Sequence, residues 1–309
     1  MITVHSISEY TTQEPVAITI GTFDGVHIGH RKILEKVINH AKDANLKSAV
    51  LTFFPHPRMV LQKDTDIKLL NTIAEKQLIL NKMGLDVLVI HPFTTAFSRL
   101  TATEFVRDLL VNKLNSKKII IGYDHRFGRN RTANITDLIA FGNLLNFSVE
   151  EIQAQEIEEV SVSSTKIRKA LEEGDVATAN AYLGYEYMLT GTVKKGKGLG
   201  RTLNFPTANL TIDEPYKLIP KTGAYTVKSI LNGKEVYGMM NIGYNPTVNG
   251  THKTIEIHFF DFNKDLYDSN IQIDMLHRLR DERKFDSIDA LKEQLAKDKE
   301  ASLRYLARY

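Results

Sequence analysis

The sequence predicts two domains, an α/β domain with a parallel sheet followed by an all-β barrel that a C-terminal helix closes. The chain has 309 residues, and single domains usually stop growing near about 250–300 residues. Between 16 and 147, short β-branched runs alternate with segments of helical period, as in βαβ units. From Tyr185 onward, runs rich in Gly, Thr, Val and Tyr follow one another without a helical segment until about Ser287.

The strands of the first domain are predicted from apolar runs that are short enough to be buried on both faces. They lie at 16–22, 48–53, 87–91, 118–122 and 147–152. Helices are predicted for the segments of helical period at 31–44, 73–83 and 101–114. Gly84 is placed to end the second helix, and Thr101 with Glu104 has the spacing of a capping box for the third.

The pattern changes near Gly184. The segment 163–183 is helical in period, whereas the later runs are strand-like and carry hairpin turns such as Asn232-Gly233. An amphipathic helix is predicted from about Ser287. We therefore predict a first domain at 1–183 and a second at 184–309.

Composition excludes several classes of protein and partner. Lys and Arg number 40 against 37 Asp and Glu, a near balance that gives little drive toward nucleic acid or anionic lipid. There is no cysteine, which rules out disulfides and thiolate chemistry. The N-terminus lacks the pattern of a signal peptide, and no segment approaches about 18 uninterrupted apolar residues. We expect a cytoplasmic protein with small-molecule substrates and neither nucleic-acid nor membrane partners; oligomeric state is left open.

The segment Gly21-Thr-Phe-Asp-Gly-Val-His-Ile-Gly-His30 lies where the first strand gives way to the first helix, a common phosphate site in α/β folds. His27 and His30 share one face at a helix start and can donate hydrogen bonds to phosphate oxygens. Gly25 and Gly29 allow close approach of a nucleotide. The alternative is a surface or metal-binding pair, but no third ligand lies nearby.

Two further segments carry phosphate chemistry. Ser163-Ser-Thr165 can cap a helix whose positive end would face a triphosphate, and Arg168 adds a fixed charge; the alternative is a simple cap and a solvated charge. Lys194-Lys-Gly-Lys-Gly-Leu-Gly-Arg201 suits phosphate wrapping, although such loops are often only solvated turns. It lacks the GK[ST] ending of a P-loop.

Together these motifs resemble those of bacterial bifunctional riboflavin kinase/FAD synthetases. GTFDGVHIGH is similar to the HxGH signature of class I nucleotidylyltransferases, and Asn204-Phe-Pro-Thr-Ala-Asn209 resembles the riboflavin kinase signature GFPTAN. Four other segments match in family order: 52–57, 122–128, 162–168 and 280–285. The resemblance implies a Rossmann-like FMN adenylyltransferase domain and a riboflavin kinase barrel. ATP would phosphorylate riboflavin to FMN and adenylylate FMN to FAD, with Mg²⁺ as cofactor.

The resemblance also implies roles for individual residues. Glu256 would be the general base of the kinase, Thr207 and Asn209 would bind Mg²⁺, and His27 and His30 would act on the ATP phosphates. The other implied ATP contacts are Gly21, Phe23, Asp24, Gly25, Gly29, Ser164, Thr165, Arg168, Gly196, Lys197 and Gly198. The implied flavin contacts are Asp124, Phe127, Arg280, Glu282 and Phe285.

The sequence departs from the family pattern at His125, Ala133, Asn204 and Asp268, where the family usually has Phe and three glycines. For Glu256 the alternative is an outward polar residue on an alternating strand, with Ile255 and Ile257 on the opposite face. For the whole protein the alternatives are a flavin-binding regulator that has lost one activity and an RNA-binding regulator. The near-neutral charge does not favour the latter.

Overall fold

A computed structural model describes residues 1–12, 14–62, 66–123, 125–153, 162–196, 200, 205–247 and 250–309. The chain forms two compact units. The first contains Met1–Leu69 and Ile73–Ser163, and the second contains Leu70–Thr72 and Ser164–Tyr309.

The first unit is built on a six-stranded parallel sheet. In chain order the strands are β1 (Ile2–Val4), β2 (Val16–Ile20), β3 (Lys47–Phe53), β4 (Val87–His91), β5 (Ser116–Gly122) and β6 (Ser148–Ile152). Their spatial order is β1-β4-β3-β2-β5-β6, and every pair is parallel. The five predicted strands are confirmed. The sequence analysis missed β1, which has only three residues.

Apart from short 3-10 turns, the described helices of the first unit are α1 (Ile28–Asp43), α2 (Pro57–Leu61), α3 (Ile73–Lys82), a π-helix (Glu104–Lys113) and α4 (Ile135–Leu145). Gly84 ends α3 with φ of 85°, as predicted. The predicted capping box also forms: Thr101 N–H donates to Glu104 Oε2 at 2.7 Å, and Glu104 N–H donates to Thr101 Oγ1 at 3.2 Å. The sequence analysis missed α2 and α4.

The sheet topology places a ligand crevice beside the end of β2. All five residues of β2 are buried, with β3 on one side and β5 on the other. The chain leaves β2 toward β3 and later returns to pair β5 with the opposite edge of β2. Open parallel sheets bind ligands outside the carboxyl ends of the strands where the order reverses in this way. The loop after Ile20 lies at that point.

The second unit is a closed antiparallel barrel with helices. Its strands are β7 (Tyr187–Lys194), β8 (Ala208–Thr211), β9 (Gly223–Leu231), β10 (Lys234–Thr247), β11 (Gly250–Phe259) and β12 (Asn270–Arg280), in the order β10-β11-β8-β7-β12-β9. The helices are α5 (Ser164–Glu173), α6 (Val176–Leu183) and α7 (Ile288–Leu306), the last capped by Ser287. Asn232 and Gly233 have φ of 52° and 74°, which suits the predicted hairpin turn.

Helix α6 packs on the barrel. Asn180 Nδ2 donates to Met275 O at 2.9 Å, and Tyr187 N–H donates to Asn180 Oδ1 at 2.8 Å. The structural division therefore falls between Ser163 and Ser164. The functional boundary after Leu183 stays a prediction.

Candidate active sites

The loop between β2 and α1 has a strained backbone. Phe23, Gly25 and Val26 have φ of 45°, 87° and 37°. Glycine adopts a positive φ with little strain, whereas a positive φ is a genuine outlier for a β-branched residue such as valine. Such strain persists only where surrounding contacts fix the conformation, and it concentrates at ligand sites. One such contact is the Thr52 hydroxyl, which donates to Thr22 O at 3.2 Å.

The same loop buries other residues that the resemblance links to ATP. Asp24 is 3% exposed and Phe23 is 4% exposed. A Cβ at Gly21 would lie 3.0 Å from the Phe23 ring, so the small residue there allows the turn to fold back on itself. Gly29 is buried in the first turn of α1.

His27 is the N-cap of α1, and this fixes its tautomer. His30 N–H donates to His27 Nδ1 at 3.3 Å, so Nδ1 is the acceptor and the proton of the neutral ring lies on Nε2. The two imidazole rings stack with centroids 3.6 Å apart and planes 17° apart. His30 Nδ1 is buried and has no hydrogen-bond partner within the part of the chain that the structure describes. The pair can thus offer hydrogen bonds to one bound anion.

Both rings are held neutral in the free protein. Burial lowers the pKa of His27 from 6.5 to about 4, although the charge of Asp24 acts in the opposite direction. Burial also holds the pKa of His30 well below 6.5, and the charges of His27 and Lys76 lower it further. A bound phosphate would favour protonation of either ring because opposite charges stabilise each other.

The pKa of His27 predicts acid sensitivity of the first unit. As pH falls below 6.5, His27 binds a proton in the unfolded chain, but in the folded chain it does so only near pH 4. Folding stability should therefore fall across this window, by about 3 kcal/mol from His27 alone. His27→Asn, which keeps a capping side chain, should flatten this part of the curve in urea unfolding at several pH values. His5→Asn, at an exposed histidine, should leave the dependence of stability on pH unchanged. If both variants changed this dependence in the same way, the acid sensitivity could not be assigned to His27.

A lysine that the sequence analysis missed lies beneath the same loop. Lys76 on α3 is only 5% exposed, and its Nζ donates to Thr22 O at 2.6 Å. The available signal was its position among apolar residues of helical period, three residues before Ile79 and four before Leu80.

The Ser/Thr/Arg motif lies at the start of α5. Ser164 and Arg168 are half-buried and Thr165 is exposed. Ser164 and Arg168 are four residues apart, which puts them on one face of the helix. These residues belong to the second unit and the histidines to the first, so their joint action on ATP stays a prediction.

The segment expected to bind flavin in the first unit forms a tight turn. Phe127 and Ala133 exchange backbone hydrogen bonds of 3.1 and 3.2 Å, and both side chains are buried. The Phe127 ring packs near Phe105, with centroids 6.0 Å apart, and near His125 at 6.3 Å. Asp124 lies outside the described residues. The flavin role of Phe127 stays a prediction.

Strands β8, β10 and β11 bring a carboxylate and two amides side by side on the barrel. Asn209 on β8 is directly opposite Glu256 on β11, and Asn241 on β10 is opposite Glu256 on its other side. Directly opposed residues have Cβ atoms about 4.5–5.5 Å apart. All three side chains are half-buried, as is Thr207, which lies just before β8 and two residues before Asn209. The strands therefore present one polar row, Asn209–Glu256–Asn241.

His258 lies two residues after Glu256 on the same strand. It is 9% exposed, and its Nδ1 lies 2.9 Å from Pro206 O. Its ring contacts Phe205 edge to face at 5.1 Å. Neither His258 nor Asn241 was among the predicted site residues; for His258 the available signal was the two-residue spacing from Glu256.

Glycines of the basic loop pack against the proposed metal ligands. A Cβ at Gly196 would lie 2.2 Å from Asn209 Nδ2, and one at Gly200 would lie 2.3 Å from Phe205 O and 3.2 Å from Thr207 Oγ1. Only glycine allows the loop to approach this closely. Lys197, Gly198 and the departure at Asn204 lie outside the described residues.

The turn at 265–268 accommodates Asp268, which stands where the family usually has glycine. Asp268 has φ of 58°, a conformation that glycine adopts freely and that Asp tolerates better than most residues. Its carboxylate pairs with Lys194 Nζ at 3.0 Å, and Lys195 Nζ lies 5.8 Å from the centroid of the Tyr267 ring. The substitution thus ties the turn to the start of the basic loop.

The last predicted flavin contacts lie at the end of β12 and just after it. Arg280 forms a bidentate pair with Asp298 of α7, with Nε and Nη2 at 2.9 and 2.7 Å from its two carboxylate oxygens. Asp298 is 4% exposed, so this pair anchors the C-terminal helix. Glu282 Oε1 accepts a hydrogen bond from Tyr244 N–H at 3.0 Å, and Phe285 lies under the Arg280 guanidinium at 5.8 Å. Their flavin and phosphate contacts stay predictions.

Two features are absent from the described part of the chain. None of its helices is both long and apolar enough to cross a membrane. No group of three or more His, Asp or Glu side chains in this part of the chain is arranged to hold a metal ion.

Comparison with known proteins covers both units. Residues 9–166 match the family model of FAD synthetase, and residues 183–306 match that of riboflavin kinase. The chain is 36% identical over 314 residues to a bifunctional riboflavin kinase/FMN adenylyltransferase of Listeria monocytogenes, covering 100% of this chain and 99% of that protein. The enzyme of the same description from Bacillus subtilis is 36% identical over 310 residues, covering 98% and 96%.

One solved structure is similar over nearly the whole chain. It comes from Streptococcus pneumoniae and is described as a macrolide-efflux protein. The two share 31% sequence identity and superpose with a TM-score of 0.87, covering 97% of this chain and 98% of the other.

Proposed function

The chain belongs to the bifunctional riboflavin kinase/FMN adenylyltransferase family, which makes FMN and FAD, and on that premise we propose which residues perform each activity. Residues 184–309 phosphorylate riboflavin, and residues 1–183 adenylylate FMN. ATP is the second substrate of both reactions. A cytoplasmic location remains the prediction made from the sequence.

In the kinase half, Glu256 is the general base. An alcohol is a poor nucleophile at neutral pH, and a carboxylate within hydrogen-bond reach can accept its proton during attack. The ribityl 5′-hydroxyl oxygen bonds to the γ-phosphorus of ATP, the bond from that phosphorus to the bridging oxygen breaks, and ADP leaves. The observation that carries this assignment is the register that puts Glu256 directly between Asn209 and Asn241.

The donor set beside Glu256 fits Mg²⁺. Thr207 and Asn209 can offer a hydroxyl and an amide oxygen, and Mg²⁺ prefers hard oxygen ligands while retaining waters and substrate phosphates. We assign these two side chains to the ion. When bound, Mg²⁺ would neutralise charge on the ATP phosphates. The close packing of Gly196 on Asn209 and of Gly200 near Thr207 orients both side chains.

In the adenylyltransferase half, the residues align anions and need no base. An oxygen of the FMN phosphate is already ionised and attacks the α-phosphorus of ATP; the bond from that phosphorus to the bridging oxygen breaks and pyrophosphate leaves. His27, with its proton on Nε2, donates to a phosphate oxygen, and the buried Nδ1 of His30 donates as well when the negative charge of the bound anion favours protonation of its ring. Catalysis is then positioning and charge stabilisation.

Both activities are tested by one incubation. The purified protein is mixed with riboflavin and MgATP, and riboflavin, FMN and FAD are separated by chromatography over time. FMN should form first and FAD should follow. A protein that converts added FMN to FAD but leaves riboflavin unchanged would contradict the kinase assignment, and the reverse pattern would contradict the adenylyltransferase assignment.

The division of labour predicts that the second unit works without the first. The fragment 164–309 keeps α6 and its hydrogen bonds to Tyr187 and Met275, so it should convert riboflavin to FMN and make no FAD. The fragment 184–309 lacks Asn180 and should have the same activity with a lower melting temperature. If the longer fragment folds and binds riboflavin but makes no FMN, the division is wrong.

A further inference from the structure

Lys76, the buried lysine beneath the loop between β2 and α1, has no function in the proposed mechanism. Lysine is almost never fully buried unless it is paired, because an ammonium loses its hydration in the protein interior. Lys76 is 5% exposed, yet within the described residues no carboxylate forms an ion pair with it. Its one hydrogen bond there goes to the carbonyl of Thr22, which leaves two of its three donors available.

The charged and titratable groups that face Lys76 indicate that the site lacks an anion. Asp24, from the loop after β2, interacts with it electrostatically, and His30, from α1, feels its positive charge. His30 also has a buried Nδ1 without a partner among the described residues. A buried lysine without an ion pair among the described residues thus acts electrostatically on a histidine with an unsatisfied ring nitrogen. Both would be satisfied by an anion with several acceptor oxygens, such as a phosphate.

We propose that Lys76 supplies the fixed positive charge that the phosphates of ATP, or the departing pyrophosphate, neutralise beside His30 during FMN adenylylation. This inference rests on the proposed role of the first unit. Lys76 also donates to the Thr22 carbonyl of the strained loop, and its charge acts on His30. As negative charge moves onto the leaving pyrophosphate, a fixed cation stabilises the transition state more than the ground state.

A purely structural tie would not need a charge. A neutral amide can donate to the Thr22 carbonyl, and burial penalises the ammonium: it lowers the pKa of Lys76 from 10.5 to about 8, despite the opposing effect of Asp24. In the free protein, therefore, the charge is lost as pH rises through about 8. The pH dependence of kcat/KM reports groups of the free enzyme. The pH profile therefore distinguishes a role of the Lys76 charge from a role of its hydrogen bond to Thr22.

The test uses the full chain with FMN and MgATP as substrates. Lys76→Gln should lower kcat/KM for ATP in FAD formation by about 10²-fold at pH 7, the typical loss for one charge-stabilising donor. Riboflavin phosphorylation by the same sample should be unchanged. The parent kcat/KM should decline above about pH 8, whereas Lys76→Arg, which stays charged, should lack this decline. Lys82→Gln, at an exposed lysine of the same helix, is the matched control and should resemble the parent.

Binding gives a second readout. Inorganic pyrophosphate should raise the melting temperature of the parent's first unit, and this rise should be lost in Lys76→Gln. The inference is overturned if Lys76→Gln makes FAD within threefold of the parent rate, or if Lys76→Arg declines at the same alkaline pH as the parent. If Lys76→Gln fails to fold, the pH profile of Lys76→Arg decides alone. A parent protein that makes no FAD would instead overturn the proposed function of the first unit.

Discussion

Glu256→Gln is expected to abolish FMN formation while FMN-to-FAD conversion continues. Glutamine keeps the size and most of the hydrogen-bonding capacity of glutamate, but it cannot accept the proton of the ribityl hydroxyl. Loss of a positioned general base typically costs about 10²–10⁴ in rate. The measurement is initial rates of FMN formation from riboflavin and of FAD formation from added FMN, made on the same sample by chromatography.

The structure sharpens the control for this experiment. Glu235 lies on the neighbouring strand β10 but is exposed and outside the polar row, so Glu235→Gln should phosphorylate riboflavin at the parent rate. Asn241→Ala should leave the base in place and slow the reaction less than Glu256→Gln. If Glu256→Gln makes FMN within a few-fold of the parent rate, Glu256 is not the base. The alternative of an outward polar residue on the strand would then stand.

The sequence was sufficient for the fold because its local patterns agree with the tertiary structure. The β-branched runs at 16–22 and 87–91 both became strands of one parallel sheet, β2 and β4, with β3 between them. The Asn232-Gly233 turn set the hairpin between β9 and β10. Where a pattern was very short or did not specify how a helix is wound, the prediction was incomplete. β1 has three residues, and the predicted third helix is wound as a π-helix, a distinction that apolar periodicity does not contain.

The candidate sites were predictable where function is concentrated in one segment. The two histidines are three residues apart, and the cap geometry follows from the place of His27 just before α1, with His30 in its first turn. The row Asn209–Glu256–Asn241 could not be predicted in the same way, because strand register joins positions far apart in the chain. Lys76 was missed for a related reason. Its significance lies in being buried beneath a loop that is distant in sequence, and a lysine in a helix is usually exposed.

Replacing His27 and His30 together should abolish FAD formation and leave FMN formation intact. Each imidazole offers a donor toward the phosphates, and removal of one such donor typically costs about 10²–10³ in rate. Because His27 also caps α1 through its Nδ1, the variant His27→Asn/His30→Gln is preferable to a double alanine. Asparagine retains an N-cap acceptor, so the fold of the first unit should persist.

The readout is FAD formation from added FMN and MgATP, with riboflavin phosphorylation measured on the same sample. His40→Asn, at the far end of the same helix, is the matched control and should make FAD at the parent rate. Each single variant should lie between the parent and the double variant. The stacked rings share one local environment, 3.6 Å apart, so the two single losses should not add independently. If the double variant folds and makes FAD at an undiminished rate, neither histidine takes part in adenylyl transfer, and the phosphate site must lie elsewhere in the protein.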